Sequence, residues 1–153
     1  LMAAEIQTGV LNHYTSKVCP VVLRPPAVPP RPNGQTQILA FRHPLAGSQI
    51  VKGTLEPGEQ PAAGALRELA EESGIDHAEV VRKLGERSFD NIGQQWHFFL
   101  CRPNKPLPAS WSHYTTDGGG HIFQFFWHDL NREPDDSWHS DFKSALAFIR
   151  DVV

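Results

Sequence analysis

Cysteine is scarce in this chain, with Cys19 and Cys101 the only two among 153 residues. They stand far apart and form no C-x-x-C pair, so the sequence suggests neither a disulfide framework nor a structural zinc site. His97, His113, His121 and His128 likewise show no H-x-x-x-H or H-E-x-x-H spacing for zinc. Long apolar runs are missing as well. No stretch of about 18 apolar residues exists to span a bilayer, and the start LMAAEIQTGV lacks the basic and apolar regions of an export signal. The expectation is a cytoplasmic protein with no membrane partner. No excess of one charge is present either: 14 Lys and Arg against 17 Asp and Glu give a net charge of -3. Without a basic stripe, nucleic acid is disfavoured as a partner.

What is there is an ordinary globular composition, 40% hydrophobic and 20% charged, in a length that suits one domain over residues 1–153. The stretch RPPAVPPRPNG, from Arg24 to Gly34, holds five prolines and cannot be the interior of a strand or helix. It reads as a stiff loop joining two neighbouring strands, VCPVVLR and QTQILAFRH, in preference to a docking motif for a proline-reading partner. Three more segments, AEVVRKLGERSFD, QQWHFFLCRP and HIFQFFWHDL, have the aromatic and β-branched density of strands. Between the last two, NKPLPASWSHYTTDGGG reads as an irregular exposed loop. The final segment spaces Trp138, Phe142, Ala145, Leu146 and Ile149 by threes and fours, which predicts a helix with one apolar stripe, capped by Asp136 or Ser137. A mixed sheet with helices packed against it fits this order of elements.

The stretch GTLEPGEQPAAGALRELAEESGI, residues 53–75, is the unusual one. Pro61 suits a first helical turn and Gly74 the position just past a last one, so a helix is predicted from Gln60 to Ser73. At about 100° per residue Glu68, Glu71 and Glu72 share a face, while Ala62, Ala65, Leu66, Leu69 and Ala70 are expected to lie mostly on the other side, against the sheet. Like charges at this spacing repel by roughly 0.2–0.5 kcal/mol per pair, and the C-terminal turn disfavours anions further. Arg67 offsets part of that, and a divalent cation held by the clustered oxygens would offset more. Gly64, four residues before Glu68, is expected to leave room beside the acidic face for something to approach.

Gly53, Glu59, Arg67-Glu68-Leu69, Glu71-Glu72 and Gly74-Ile75, at these spacings, match every defined position of a Nudix box. The stretch resembles the Nudix (MutT-like) hydrolases. That resemblance implies an α/β fold, the Nudix α/β/α sandwich with a central mixed sheet. It also implies hydrolysis, dependent on Mg²⁺ or Mn²⁺, of a diphosphate in a nucleoside diphosphate linked to another moiety. Carried onto this chain, it makes Glu68 and Glu72 metal ligands, Glu71 a further or water-mediated ligand, and the Gly53 carbonyl a backbone ligand. Glu59 and Arg67 become a supporting pair that holds the loop and orients Glu68. The general base stays open between Glu68 and Asp117, in TTDGGG.

The implied partner is a small nucleotide. A homodimer is compatible with the family, although no feature of this sequence establishes one. Arg42 and Lys52 are candidate phosphate contacts, and the Lys52-Gly53 pair resembles that of Nudix enzymes acting on dinucleoside polyphosphates. Trp96, Trp111, Tyr114, Phe123 and Trp127 are candidate base-stacking rings, with Phe123, Phe125 and Trp127 read as core, and His43 and His121 are further residues for the substrate's surroundings. The alternative function is a Nudix domain that binds nucleotides as a sensor without hydrolysing them. Such domains typically lose box carboxylates, and all are present here.

Overall fold

A computed structural model describes residues 13–25 and 35–153. The strands are β1 (Thr15–Arg24), β2 (Gln37–His43), β3 (Gly47–Gln49), β4 (Gly53–Thr54), β5 (Ala78–Phe89), β6 (Gln94–Pro103), β7 (Trp111–Thr115) and β8 (His121–Asp129). The helices are α1 (Pro61–Ser73) and α2 (Ser140–Val152). The sheet runs β5-β6-β1-β2-β8-β7, with β3 against β2 and β4 against β1. β1 and β6 are parallel and the other pairs antiparallel, so the sheet is mixed.

Both faces of the central strands are covered, which is why these strands read as continuous apolar runs. Successive side chains alternate between faces. Val18 and Val22 of β1, Leu39 and Phe41 of β2, and Phe123 and Phe125 of β8 meet Ala65 and Leu69 of α1. Cys19 and Val21, Ile38 and Ala40, and Trp96 and Phe98 of β6 meet Phe142, Ala145, Leu146 and Ile149 of α2. Helix, sheet and helix form three layers with a core on each side of the sheet. Cys19 and Cys101 are both buried and free, and burial pushes the Cys101 thiol up to about 12.

Three sequence expectations need correction. The segment before Asp117 is not loop throughout, since Trp111–Thr115 forms β7 at the sheet edge, where the Trp111 ring stacks on Phe125 at 5.1 Å. The proline and glycine flanks hide a short strand of good β propensity. The last helix starts later than predicted, because Trp138 belongs to the preceding segment, bridged to Ser48 of β3. His139 is the cap, its Nδ1 accepting from the Asp141 amide at 3.1 Å. Asp135 instead holds the turn before it, accepting from the Ser137 amide at 2.9 Å.

The third correction concerns α1. Gln60 is its N-cap and Gly74, at φ 81°, ends it in the left-handed conformation, donating to the Ala70 carbonyl at 2.9 Å. Its buried stripe, however, contains Glu68 and Glu72 together with Ala65 and Leu69. Seven residues of helix bring Glu72 round to within about 20° of Ala65, so the carboxylates do not lie opposite the packed side. Of the proline-rich stretch, residues 26–34 lie outside the described residues. The strands flanking it do pair, with Leu23 opposite Ile38. Among the described residues no helix is long and apolar enough to cross a membrane.

Candidate active site

The last turns of α1, the loop between β4 and α1, the ends of β2 and β8, and the turn after β7 enclose a cleft of about 630 Å³. Glu68, Glu71, Glu72 and Asp117 line it together with Gly53 and Arg67. Glu68 is 8% exposed and Glu72 4%. Leaving two carboxyl groups in such a place requires partners or a proton.

Arg67 supplies most of the partners. Its Nε donates to Glu59 Oε2 at 2.7 Å and its Nη2 to Glu59 Oε1 at 2.9 Å, a two-pronged pair. Nη1 donates to Glu68 Oε1 at 2.8 Å and to Glu71 Oε2 at 3.1 Å, and Nη2 also reaches the Thr54 carbonyl at 3.1 Å. The guanidinium holds the Glu59 carboxyl down at about 2, and Glu59 in turn raises the pKa of Arg67 above its usual value. Burial raises Glu68, against the opposing pull of Arg67.

Glu72 has no such partner. Burial pushes its carboxyl up to about 9, Glu68 and Asp117 add to the rise, and the Lys52 backbone amide opposes it. Its Oε1 is buried without a hydrogen-bond partner. Without a metal, burial thus favours the protonated form of Glu72 at neutral pH.

Gly53 is required by contact. β4 lies against β1, with Gly53 opposite Val18, and a Cβ on Gly53 would fall 1.8 Å from Glu68 Cδ. Only a bare α-carbon lets the loop backbone approach the carboxylate. Asp117 arrives from the other direction, in a one-turn 3-10 segment, Asp117–Gly119. Gly118, Gly119 and Gly120 all take positive φ, of 63°, 95° and 100°, so the GGG run is what turns the chain here and aims Asp117 at Glu72.

Other expected positions lie elsewhere. Arg42 is exposed outside the cleft, its guanidinium 4.2 Å over the Phe126 ring, because residues 42 and 43 of a strand point to opposite faces. Lys52 borders the cleft, but its ammonium rests 4.4 Å over Trp96 on the α2 side and donates to Gln94 at 3.4 Å, with burial lowering its pKa. The space beside Gly64 is filled by the folded-back loop. A Cβ there would meet Glu59 Oε1 at 2.8 Å and Leu55 Cδ1 at 3.0 Å, so nothing approaches through it. Trp96 is fully buried and Trp111 donates to the Ser73 carbonyl at 2.9 Å, which leaves Phe123, among the expected rings, lining the cleft.

Sequence reasoning missed Lys17 and Phe41. Both line the cleft, Lys17 donating to Thr54 Oγ1 at 2.7 Å and Phe41 stacked on Phe123 at 4.2 Å. Lys17 lies far upstream of the box, and only the pairing of β1 with β4 brings it there.

The donors suit a hard divalent cation: clustered carboxylate oxygens, a buried oxygen on Glu72 without a partner, and a backbone that a side chain at Gly53 would block. Among the described residues no three His, Cys, Asp or Glu side chains are already grouped as a ligand set. Arg67 engages one oxygen each of Glu68 and Glu71, which leaves the second oxygen of each carboxylate for a cation.

The carboxylate helix, the Gly53 backbone and the Arg67 clamp thus meet in one cleft of an α/β/α sandwich. The sequence matches the family model for the NUDIX domain over residues 27–146, and the chain belongs to this family. Comparison with curated protein sequences finds no match. Solved structures with the same fold include an ADP-ribose pyrophosphatase from Streptococcus suis, 13% identical, covering 90% of this chain and 90% of that one with a TM-score of 0.62. An Ap4A hydrolase from C. elegans is 19% identical over 89% of this chain and 96% of its own, with a TM-score of 0.61. A UDP-X diphosphatase is 16% identical over 96% and 70%, with a TM-score of 0.60.

Proposed function

We propose that this protein is a pyrophosphohydrolase that cleaves the diphosphate of a nucleoside diphosphate linked to another moiety, using Mg²⁺ or Mn²⁺. The single observation that carries this reading is Glu72, buried beside Glu68 and Asp117 with an unpartnered oxygen, a costly arrangement that a cation would relieve. Glu68, Glu72 and the Gly53 carbonyl would hold the ion, with Glu71 as a further ligand. A divalent ion bound there would screen the diphosphate charge and make water more acidic. Arg67 and Glu59 fix the loop from Gly53 to Glu59 against α1, so the donors stay in place during the reaction. Lys17 supplies a positive charge to the phosphates. Of the two candidate bases, Asp117 is exposed at the cleft, whereas Glu68 is buried and tied to Arg67, and we assign proton removal from the attacking water to Asp117.

The test is a Mg²⁺-dependent hydrolysis screen over nucleoside triphosphates, nucleotide sugars, ADP-ribose, dinucleotides and dinucleoside polyphosphates. Turnover of a diphosphate compound supports the function and identifies its class, and the Asp117→Asn variant is expected to lower kcat about 100-fold or more with little change in KM. Absence of turnover across the screen, with Mg²⁺-dependent binding of one compound, would replace the enzyme with a nucleotide sensor.

A further inference from the structure

His43 closes β2 and lines the cleft on the wall opposite α1. Its ring lies 4.7 Å from that of His121 and 5.2 Å from that of Phe123, which fixes its plane. The turn that follows fixes its proton. Nδ1 accepts from the Leu45 amide at 3.0 Å and from the Ala46 amide at 3.2 Å. A nitrogen accepting two backbone hydrogen bonds carries no proton, so the neutral ring holds its hydrogen on Nε2. Nε2 has no partner among the described residues, and unlike the buried nitrogens of His97 it is not shut off from solvent.

Burial, and His121 beside it, also keep the ring from gaining a second proton, while Asp117 is near enough to oppose them. The ring thus presents a fixed, neutral N–H within electrostatic reach of Asp117, in the cleft where the carboxylates gather. A phosphoryl oxygen only accepts, which is what a lone donor can satisfy. Glu68, Glu71, Glu72 and Asp117, which line the same cleft, carry carboxyl oxygens that would not donate to it once ionised.

We propose that His43 is a catalytic residue that donates a hydrogen bond from Nε2–H to a phosphoryl oxygen of the bound diphosphate. This rests on the pyrophosphohydrolase function above. The proton stays on nitrogen throughout, and the donor stabilises charge that grows on the phosphoryl oxygen as the linkage breaks.

Two variants and one spectrum test it. His43→Phe keeps a ring against His121 and Phe123 but lacks the N–H, and kcat is expected to fall about 10- to 100-fold with a smaller change in KM. His43→Gln, whose amide can replace the Nε2 donor, is expected to recover part of that loss. In ¹⁵N-histidine-labelled wild type, the His43 resonances should show the Nε2–H tautomer, and Nε2 should shift when Mg²⁺ and methylenediphosphonate are added. Wild-type kcat in the Phe variant, the opposite tautomer, or an Nε2 signal unmoved by the diphosphonate would each overturn the role of His43 while leaving a turning-over enzyme intact. Failure of the wild type itself to hydrolyse any diphosphate compound would overturn the underlying function, and this proposal with it.

Discussion

Helices α1 and α2 each have 13 residues and lie on opposite faces of one sheet, yet they bury different chemistry. α2 buries Phe142, Ala145, Leu146 and Ile149, an apolar stripe. α1 buries Ala65 and Leu69, and with them Glu68 and Glu72. Folding alone favours the first solution, since a buried carboxyl group costs free energy unless it is paired or protonated. The α2 face thus shows what stability selects, and the α1 face departs from it. A departure of this kind, confined to one helix, marks function more firmly than the acidic residues by themselves.

Four variants or conditions sharpen that contrast. Glu72→Gln should lower metal-dependent turnover by more than about 100-fold with the fold retained, read by steady-state kinetics and circular dichroism. Wild-type activity in this variant would put α1 on the same footing as α2. Ile149→Ala should do the reverse, removing about 2–4 kcal/mol of stability by urea unfolding while kcat below the unfolding transition stays at the wild-type value. Arg67→Ala should weaken both properties, by about 1–3 kcal/mol in stability and strongly in turnover, because it leaves Glu59 and Glu68 without their partner.

The fourth contrast is a pH dependence of the metal-free protein. The Glu72 carboxyl is raised from 4.5 to about 9 in the folded state. Between those values the folded chain binds a proton that the unfolded chain has lost, so Glu72 makes stability fall as pH rises from about 4.5 toward 9. Urea midpoints of the wild type should decline over that window more steeply than those of Glu72→Gln. Equal slopes would remove Glu72 from the titration. By the same linkage a cation must displace this proton, and its affinity should rise with pH up to about 9.

Much of this was legible in the sequence for identifiable reasons. The five longer strands announce themselves through apolar and β-branched density, and α1 through Pro61 and Gly74. The short strands β3, β4 and β7 exist because longer neighbours pair with them, a tertiary cause that local pattern does not carry. In the site, the spacing of the box names its carboxylates. Helical arithmetic from Ala65 to Glu72 also held the sign of burial, which assigning the carboxylates to an opposite face obscured. Gly64 looked like an opening until Leu55 and Glu59 folded onto it. Lys17 and Phe41 carry no local signal, since each reaches the cleft only through strand pairing or strand alternation. Lys52 shows the converse, as proximity in sequence puts its backbone at Glu72 and its ammonium on the other side of the sheet.

The most direct measurement is Mn²⁺ binding followed by electron paramagnetic resonance in the wild type, Glu72→Gln and Ile149→Ala at pH 8. If the buried carboxylates of α1 are there to hold a divalent cation, the wild type and Ile149→Ala will bind Mn²⁺ alike and Glu72→Gln will lose most of that binding. Equal Mn²⁺ binding by all three proteins, or none by the wild type, would contradict it.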